Sequence, residues 1–171
     1  MMQRRLFLGS AAAAAFAQRP GRPTAKITDV EVLIIRGTWD WNLVRIKTDQ
    51  GVHGLGEAYW GYGVKDLILN QFKPLLLGED PLNVDKLYTK ILMRSAGQGA
   101  LAGITVTAAS GIEIALWDLA GRLLNTPSVD LLGGRFRDQV RFYRTLQTPP
   151  DVENMEHWRQ LVRDARAEKM G

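Results

Sequence analysis

The chain has 171 residues, 46% of them apolar and 23% charged, with no cysteine. That length suits one domain with part of a second, and the composition is that of a globular protein with chain enough for a sizeable core. The lack of cysteine excludes disulfides, thiolate metal sites and a cysteine nucleophile.

The formal charge of +4 does not point to nucleic acid. Arg4, Arg5, Arg19, Arg22 and Lys26 all precede the first acidic residue, Asp29. Removing those five from 22 basic residues leaves 17 against 18 acidic ones, a net of −1 for the body of the chain. No basic stripe interleaved with aromatics follows, so nucleic acid is not expected as a partner.

Residues 1–25 read as an export signal with a lead-in. Met1 to Arg5 is a positive segment, Leu6 to Ala17 is a short alanine-rich apolar run, and Ala15-Phe16-Ala17 has the small-x-small spacing of a cleavage site. Arg4-Arg5-Leu6-Phe7-Leu8 resembles the twin-arginine signal, which implies an exported, periplasmic protein. The apolar run is too short for a transmembrane helix, and no membrane partner is expected. Pro20, Gly21 and Pro23 make the following stretch a flexible lead-in.

Three strands come next. Ile27 to Ile35 is apolar on both faces and predicts a largely buried strand. Arg36 to Asn42 reads as a loop, and Leu43 to Thr48 alternates as a second strand. Asp49-Gln50-Gly51 is a turn into a third, Val52 to Ala58. Gly54 and Gly56 inside that strand predict close approach of another backbone or a ligand.

Helices follow. Tyr62 to Leu77 is helical by period, with a break or kink expected at Pro74. Val84 to Met93 repeats the pattern. The longest helix is centred on the stripe Ala108, Ile112, Leu116, Leu119 and Leu123, with Thr105 or Thr107 as its cap and Asn125-Thr126-Pro127 as its stop. Leu131-Leu132-Gly133-Gly134 is an apolar anchor and a turn. Beyond it, Gln139 to Leu146 reads as a strand and Asp151 to Lys169 as a helix with Met155, Trp158, Val162 and Ala165 on one stripe. Strands grouped before helices give an α+β class.

Ala115-Leu116-Trp117-Asp118-Leu119-Ala120-Gly121-Arg122, followed by Pro127 and Leu131-Leu132-Gly133-Gly134, resembles the enolase superfamily in its mandelate racemase and muconate-lactonizing branch. Gly51 to Ala58 is similar to the third strand of that family's N-terminal capping domain. The resemblance covers Lys26 to Gly171, with Ser128 and Val129 standing where a branched apolar residue and an aromatic are common. It implies an α+β fold: a three-stranded antiparallel meander and a helical bundle as the capping domain at 26–134, then at 135–171 the first strand and helix of an incomplete (β/α) barrel. The chain is accordingly read as a truncation.

The resemblance further implies a Mg2+-dependent enzyme that abstracts a proton α to a carboxylate. The first expectation is a sugar-acid dehydratase, so a lyase. The alternative is an isomerase, a racemase or cycloisomerase of the same branch. A small-molecule carboxylate is the implied partner, and a homo-oligomer the implied assembly at full length. The family's Lys-x-Lys is absent, since Arg45-Ile46-Lys47 is only Arg-x-Lys, and no carboxylate cluster has ligand spacing. No catalytic residue and no metal ligand is therefore assigned, and the 171 residues alone are expected to be inactive. A second reading from another class is a stand-alone, non-catalytic domain that binds a ligand or partner through its aromatic loops.

What the resemblance carries over is the lid, the loops after the first and third strands. The candidates are Thr38, Trp39, Asp40 and Trp41 in one loop and Tyr59 and Trp60 in the other. These aromatics either cover a ligand or pack on the domain or on a neighbouring subunit. His53 reads as a structural histidine, His157 as a surface one, and Glu57 as a hydrogen-bonded carboxylate or a group at the mouth. Gly54-Leu55-Gly56 is not a dinucleotide fingerprint, because no helix follows it directly.

Overall fold

The computed structural model describes residues 21–37, 40–96, 102–141, 143, 145 and 148–167. The expected export signal therefore falls almost wholly outside the described residues, as do Thr38 and Trp39. Two compact units are present, dividing after Gly134.

The first unit opens on an antiparallel meander in the order β1 (Ile27–Arg36), β2 (Asp40–Thr48) and β3 (His53–Glu57). Alternation sets its faces. Asn42, Val44, Ile46 and Thr48 of β2 are buried while the residues between them are less so. The turn closes where glycine was expected, with the Gly51 amide donating to the Thr48 carbonyl at 3.2 Å. On the outer face, Glu31 takes Arg45 at 2.5 Å and Lys47, while Asp29 takes Lys73 at 2.5 Å. Lys47, then Arg45, hold the Glu31 carboxyl below its ordinary value, and Lys73 does the same for Asp29.

Two expectations about the strands are corrected. The second strand begins at Asp40, so the expected loop shrinks to a hairpin tip, with Arg36 opposite Asp40 and Ile35 opposite Trp41. A β-branched residue facing an aromatic is a favourable cross-strand pair, and it extends the ladder. Nor is β1 buried along its length. Ile27 and Val30 are in the core, but Leu33 is 44% and Ile35 is 49% exposed. β1 lies at the sheet edge, with no further strand beyond it among the described residues.

The helical layer covers the inner face. Val64–Leu67 (α1), a π-helical turn over Ile68–Phe72 and Lys73–Leu76 (α2) follow one another without a gap. The expected break at Pro74 is replaced by that π turn. Proline lacks the amide an α-helix needs there, and the ladder has already shifted, with the Lys73 amide donating to Ile68 five residues back. Val84–Ala96 (α3) and Ile104–Leu124 (α4) complete the core. Ala108, Ile112, Leu116 and Leu119 are fully buried in α4, as its stripe predicts, against Phe72, Leu87, Ile91, Val44 and Ile46.

The ends of α4 are mixed. Neither threonine caps it. Gly103 precedes the first turn, and the Thr107 hydroxyl instead donates to the Gly103 carbonyl at 3.1 Å. Asn125 ends it in the left-handed region, and the Thr126 amide donates back to Gly121 at 2.9 Å. Pro127 then leads into the short helix α5 (Ser128–Leu131).

The helix α4 and the strand β3 pack backbone to backbone. A Cβ on Gly56 would sit 2.2 Å from the Gly111 carbonyl oxygen, and one on Gly54 would sit 2.1 Å from that of Ala115. A Cβ on Gly111 would meet Ala58 at 2.3 Å. Helix and strand thus approach backbone to backbone, as the two strand glycines predict. The Asp118 carboxylate adds a tie at the rim by accepting the Leu55 amide at 2.8 Å, and it also takes Arg122.

In the second unit, helix α6 runs Met155–Ala167 and is started by Asn154, whose side chain accepts the Glu156 amide at 3.0 Å. Trp158 and Ala165 of its stripe are half-buried, and Met155 and Val162 are exposed. Of the expected strand over 139–146, Phe142, Arg144 and Leu146 lie outside the described residues. Gln139, Val140, Arg141, Tyr143 and Thr145, the residues described there, are in no ladder. A strand of a parallel array needs neighbours for its backbone groups, and no neighbouring strand is present among the described residues.

The close contact yields a prediction. Gly56→Ala is expected to cost about 3 kcal/mol in denaturant unfolding, since backbone rather than a flexible side chain must give way. Ile114→Ala, at a half-exposed position of the same helix, is the control expected to cost no more than about 1 kcal/mol. Equal costs for the two would contradict the packing.

Candidate functional site

The hairpin tip and the segment after β3 come together at one end of the sheet. Asn42 joins them. It occupies an inward position of β2, in step with Val44 and Ile46, and is buried. Its side-chain amide donates to the Tyr59 carbonyl at 2.8 Å, and its own carbonyl accepts the Ala58 amide at 2.9 Å. The side-chain amide and the main-chain carbonyl of Asn42 together fix where the chain goes after β3.

Between these segments lies a cleft of about 470 Å3. Its walls include Ile34 and Asp40 from the hairpin, Trp60 and Tyr62 from the following loop, and Lys65 and Asp66 from α1, with Asn42 at its edge. A second cleft of about 480 Å3 is lined by Glu57, Tyr59, Val106, Thr107 and Ser110. The Tyr59 and Trp60 rings lie 6.3 Å apart, tilted by 48°, so the wall between the clefts is aromatic.

The candidates therefore separate. Asp40 and Trp60 share the first cleft, Tyr59 lines the second, and Glu57 lines the second as well. Trp41 belongs to the β2 ladder rather than to a loop, opposite Ile35, and does not line the first cleft. His53 stands opposite Lys47 on β3, and His157 is exposed on α6. Asn42, Lys65 and Asp66 were not singled out from the sequence. The legible signal for Asn42 was a lone amide on the inward side of an alternating strand. Lys65 and Asp66 gave none beyond their place in the first turn after Gly61-Tyr62-Gly63.

The described residues do not fit a bound metal. No group of three or more histidine, aspartate or glutamate side chains among them could hold one. Two carboxylates, a lysine, an amide and an aromatic wall can hydrogen-bond and stack against a polar organic molecule, and they lack a positioned acid–base pair.

Residues 31–133 match the model of the mandelate racemase / muconate lactonizing enzyme N-terminal domain. The chain belongs to that family. D-xylonate dehydratase of Haloferax volcanii is 48% identical over 134 residues, which are 78% of this chain and 32% of the relative. D-galactarolactone cycloisomerase of Agrobacterium fabrum is 36% identical over 60% of this chain and 27% of its own. Among solved structures, an enolase-superfamily member from Salmonella Typhimurium matches 84% of this chain and 40% of its own at TM-score 0.72 and 31% identity. A mandelate racemase/muconate lactonizing protein from Paracoccus denitrificans, complexed with magnesium, matches 67% of this chain and 32% of its own at TM-score 0.62 and 33% identity. The chain spans about a third of the length of the curated relatives it matches.

In this capping domain, Asn42→Ala removes the donor to Tyr59 and leaves a carbonyl short of its partner. The expected cost is about 1–2 kcal/mol, with faster amide exchange concentrated at residues 58–61. Exchange unchanged in that segment would show that the amide does not hold it.

Proposed function

We propose that this capping domain belongs to a sugar-acid dehydratase in which the cleft around Asp40, Asn42 and Trp60 covers the bound substrate. The single observation that carries the reading is that Asn42 ties the two segments expected to form the lid into one cleft at one end of the sheet. Support for the substrate class comes from the Haloferax relative, whose name is that of an enzyme acting on D-xylonate.

The proton transfer and the Mg2+ are assigned to residues other than those described here, which hold no three-ligand cluster. What the capping domain contributes is orientation and exclusion of water. Trp60 and Tyr62 offer apolar faces, while the Asp40 carboxylate offers hydrogen-bond acceptors for hydroxyls beside the segment that Asn42 ties down. Dehydration removes the α-proton and the β-hydroxyl, and the enol formed becomes a 2-keto-3-deoxy acid. A sugar acid held by its hydroxyls keeps that geometry through the step.

The second reading is a cycloisomerase, which the Agrobacterium relative favours by name. Export through the twin-arginine-type signal at Arg4-Arg5-Leu6-Phe7-Leu8 and a homo-oligomeric full-length protein are part of the same proposal. The test is to incubate a sugar-acid panel and Mg2+ with the protein encoded by the intact gene and, separately, with the 171-residue chain. A 2-keto acid from the first and none from the second is the expected result. A ring-opened or isomerised product without a keto acid would replace dehydratase with cycloisomerase. No product from either preparation would overturn the enzymatic reading.

A further inference from the structure

The first cleft carries a charge pattern that bears on which end of a substrate it accepts. Three side chains charged at neutral pH line it among the described residues: Asp40 from β2, and Lys65 and Asp66 from α1. None of the three makes a hydrogen bond or ion pair with another described residue. Arg36 stands opposite Asp40 on the ladder, forms no ion pair with it, and does not line the cleft. Thr38 and Trp39, between them in the chain, carry no charge. Two carboxylates against one ammonium leave the cleft with a surplus of one negative charge at neutral pH.

We infer that Asp40 and Asp66 are specificity-determining residues that admit the uncharged, polyhydroxyl end of a sugar mono-acid and exclude a second carboxylate. The inference rests on the reading of this cleft as the cover over a sugar acid, and it narrows that class from acid sugars in general to those charged at one end only. The chemistry is direct. A carboxylate accepts hydrogen bonds from hydroxyls, and the Trp60 face can lie against the C–H side of a polyol chain. A terminal carboxylate in that place would offer acceptors to acceptors and meet two like charges for each opposite one. Lys65 softens the exclusion and does not reverse it.

The experiment uses the 171-residue chain and three probes matched in length: a pentitol, an aldopentonate and an aldopentarate. Each is titrated at fixed ionic strength while the Trp60 indole and Asn42 side-chain amide signals are followed by NMR. The expected order is pentitol and aldopentonate together, with aldopentarate roughly threefold or more weaker. Asp66→Asn is expected to bring aldopentarate level, and Lys65→Gln to widen the gap. Both positions are exposed, and unchanged dispersion of the sheet amides shows that the variants fold. Aldopentarate binding as well as or better than aldopentonate in the unaltered chain overturns the inference while leaving the cleft as a sugar-acid site. No response of either signal to any probe overturns the inference and the covering role together.

Discussion

The constraint on which the rest of this domain depends is the absence of side chains where β3 meets α4. Gly54, Gly56 and Gly111 let a strand and a helix come within backbone contact, closer than any Cβ would permit. Such proximity turns one edge of the meander into a fixed seat for a 21-residue helix. The buried stripe of that helix then reaches β2, α1 and α3 at once. Dispersion across so tight an interface is dense, and a single methyl group has nowhere to go.

The first cleft inherits this rigidity. β3 ends at Glu57, and its continuation is held by Asn42 on the neighbouring strand, so the segment bearing Tyr59 and Trp60 leaves from a fixed point. β2 presents Asp40 at the facing hairpin, and α1, packed against α4 through Val64, presents Lys65 and Asp66. Three elements that share one core thereby set the positions of the groups around one opening. The covering role proposed for this domain needs such a frame, because the contribution proposed for it is placement rather than chemistry.

Much of this was legible in the residues. The four-residue spacing of Ala108, Ile112 and Leu116 gave the core helix, alternation in Leu43–Thr48 gave the second strand, and two glycines inside a strand announced a close neighbour. What was not legible depended on position in the sheet. The run Val32-Leu33-Ile34-Ile35 is apolar enough for two buried faces, yet an edge strand has fewer neighbours to cover it. Trp39-Asp40-Trp41-Asn42 looked like a loop because of its polar residues, whereas Trp41 and Asn42 continue the ladder on alternate faces. The charge pattern of the cleft needed the fold, since Asp40 and Asp66 are 26 positions apart in the chain.

Native-state hydrogen exchange on the 171-residue chain tests the central claim most directly. If the glycine contact is the foundation, the amides of Val44, Ile46 and Gly56 and those of Ile112, Ala115 and Leu119 will be the most protected. They will exchange through one shared opening, with residues 59–63 opening earlier and at lower free energy. Exchange of β3 independently of α4, or protection greatest in the hairpin tip, would contradict it.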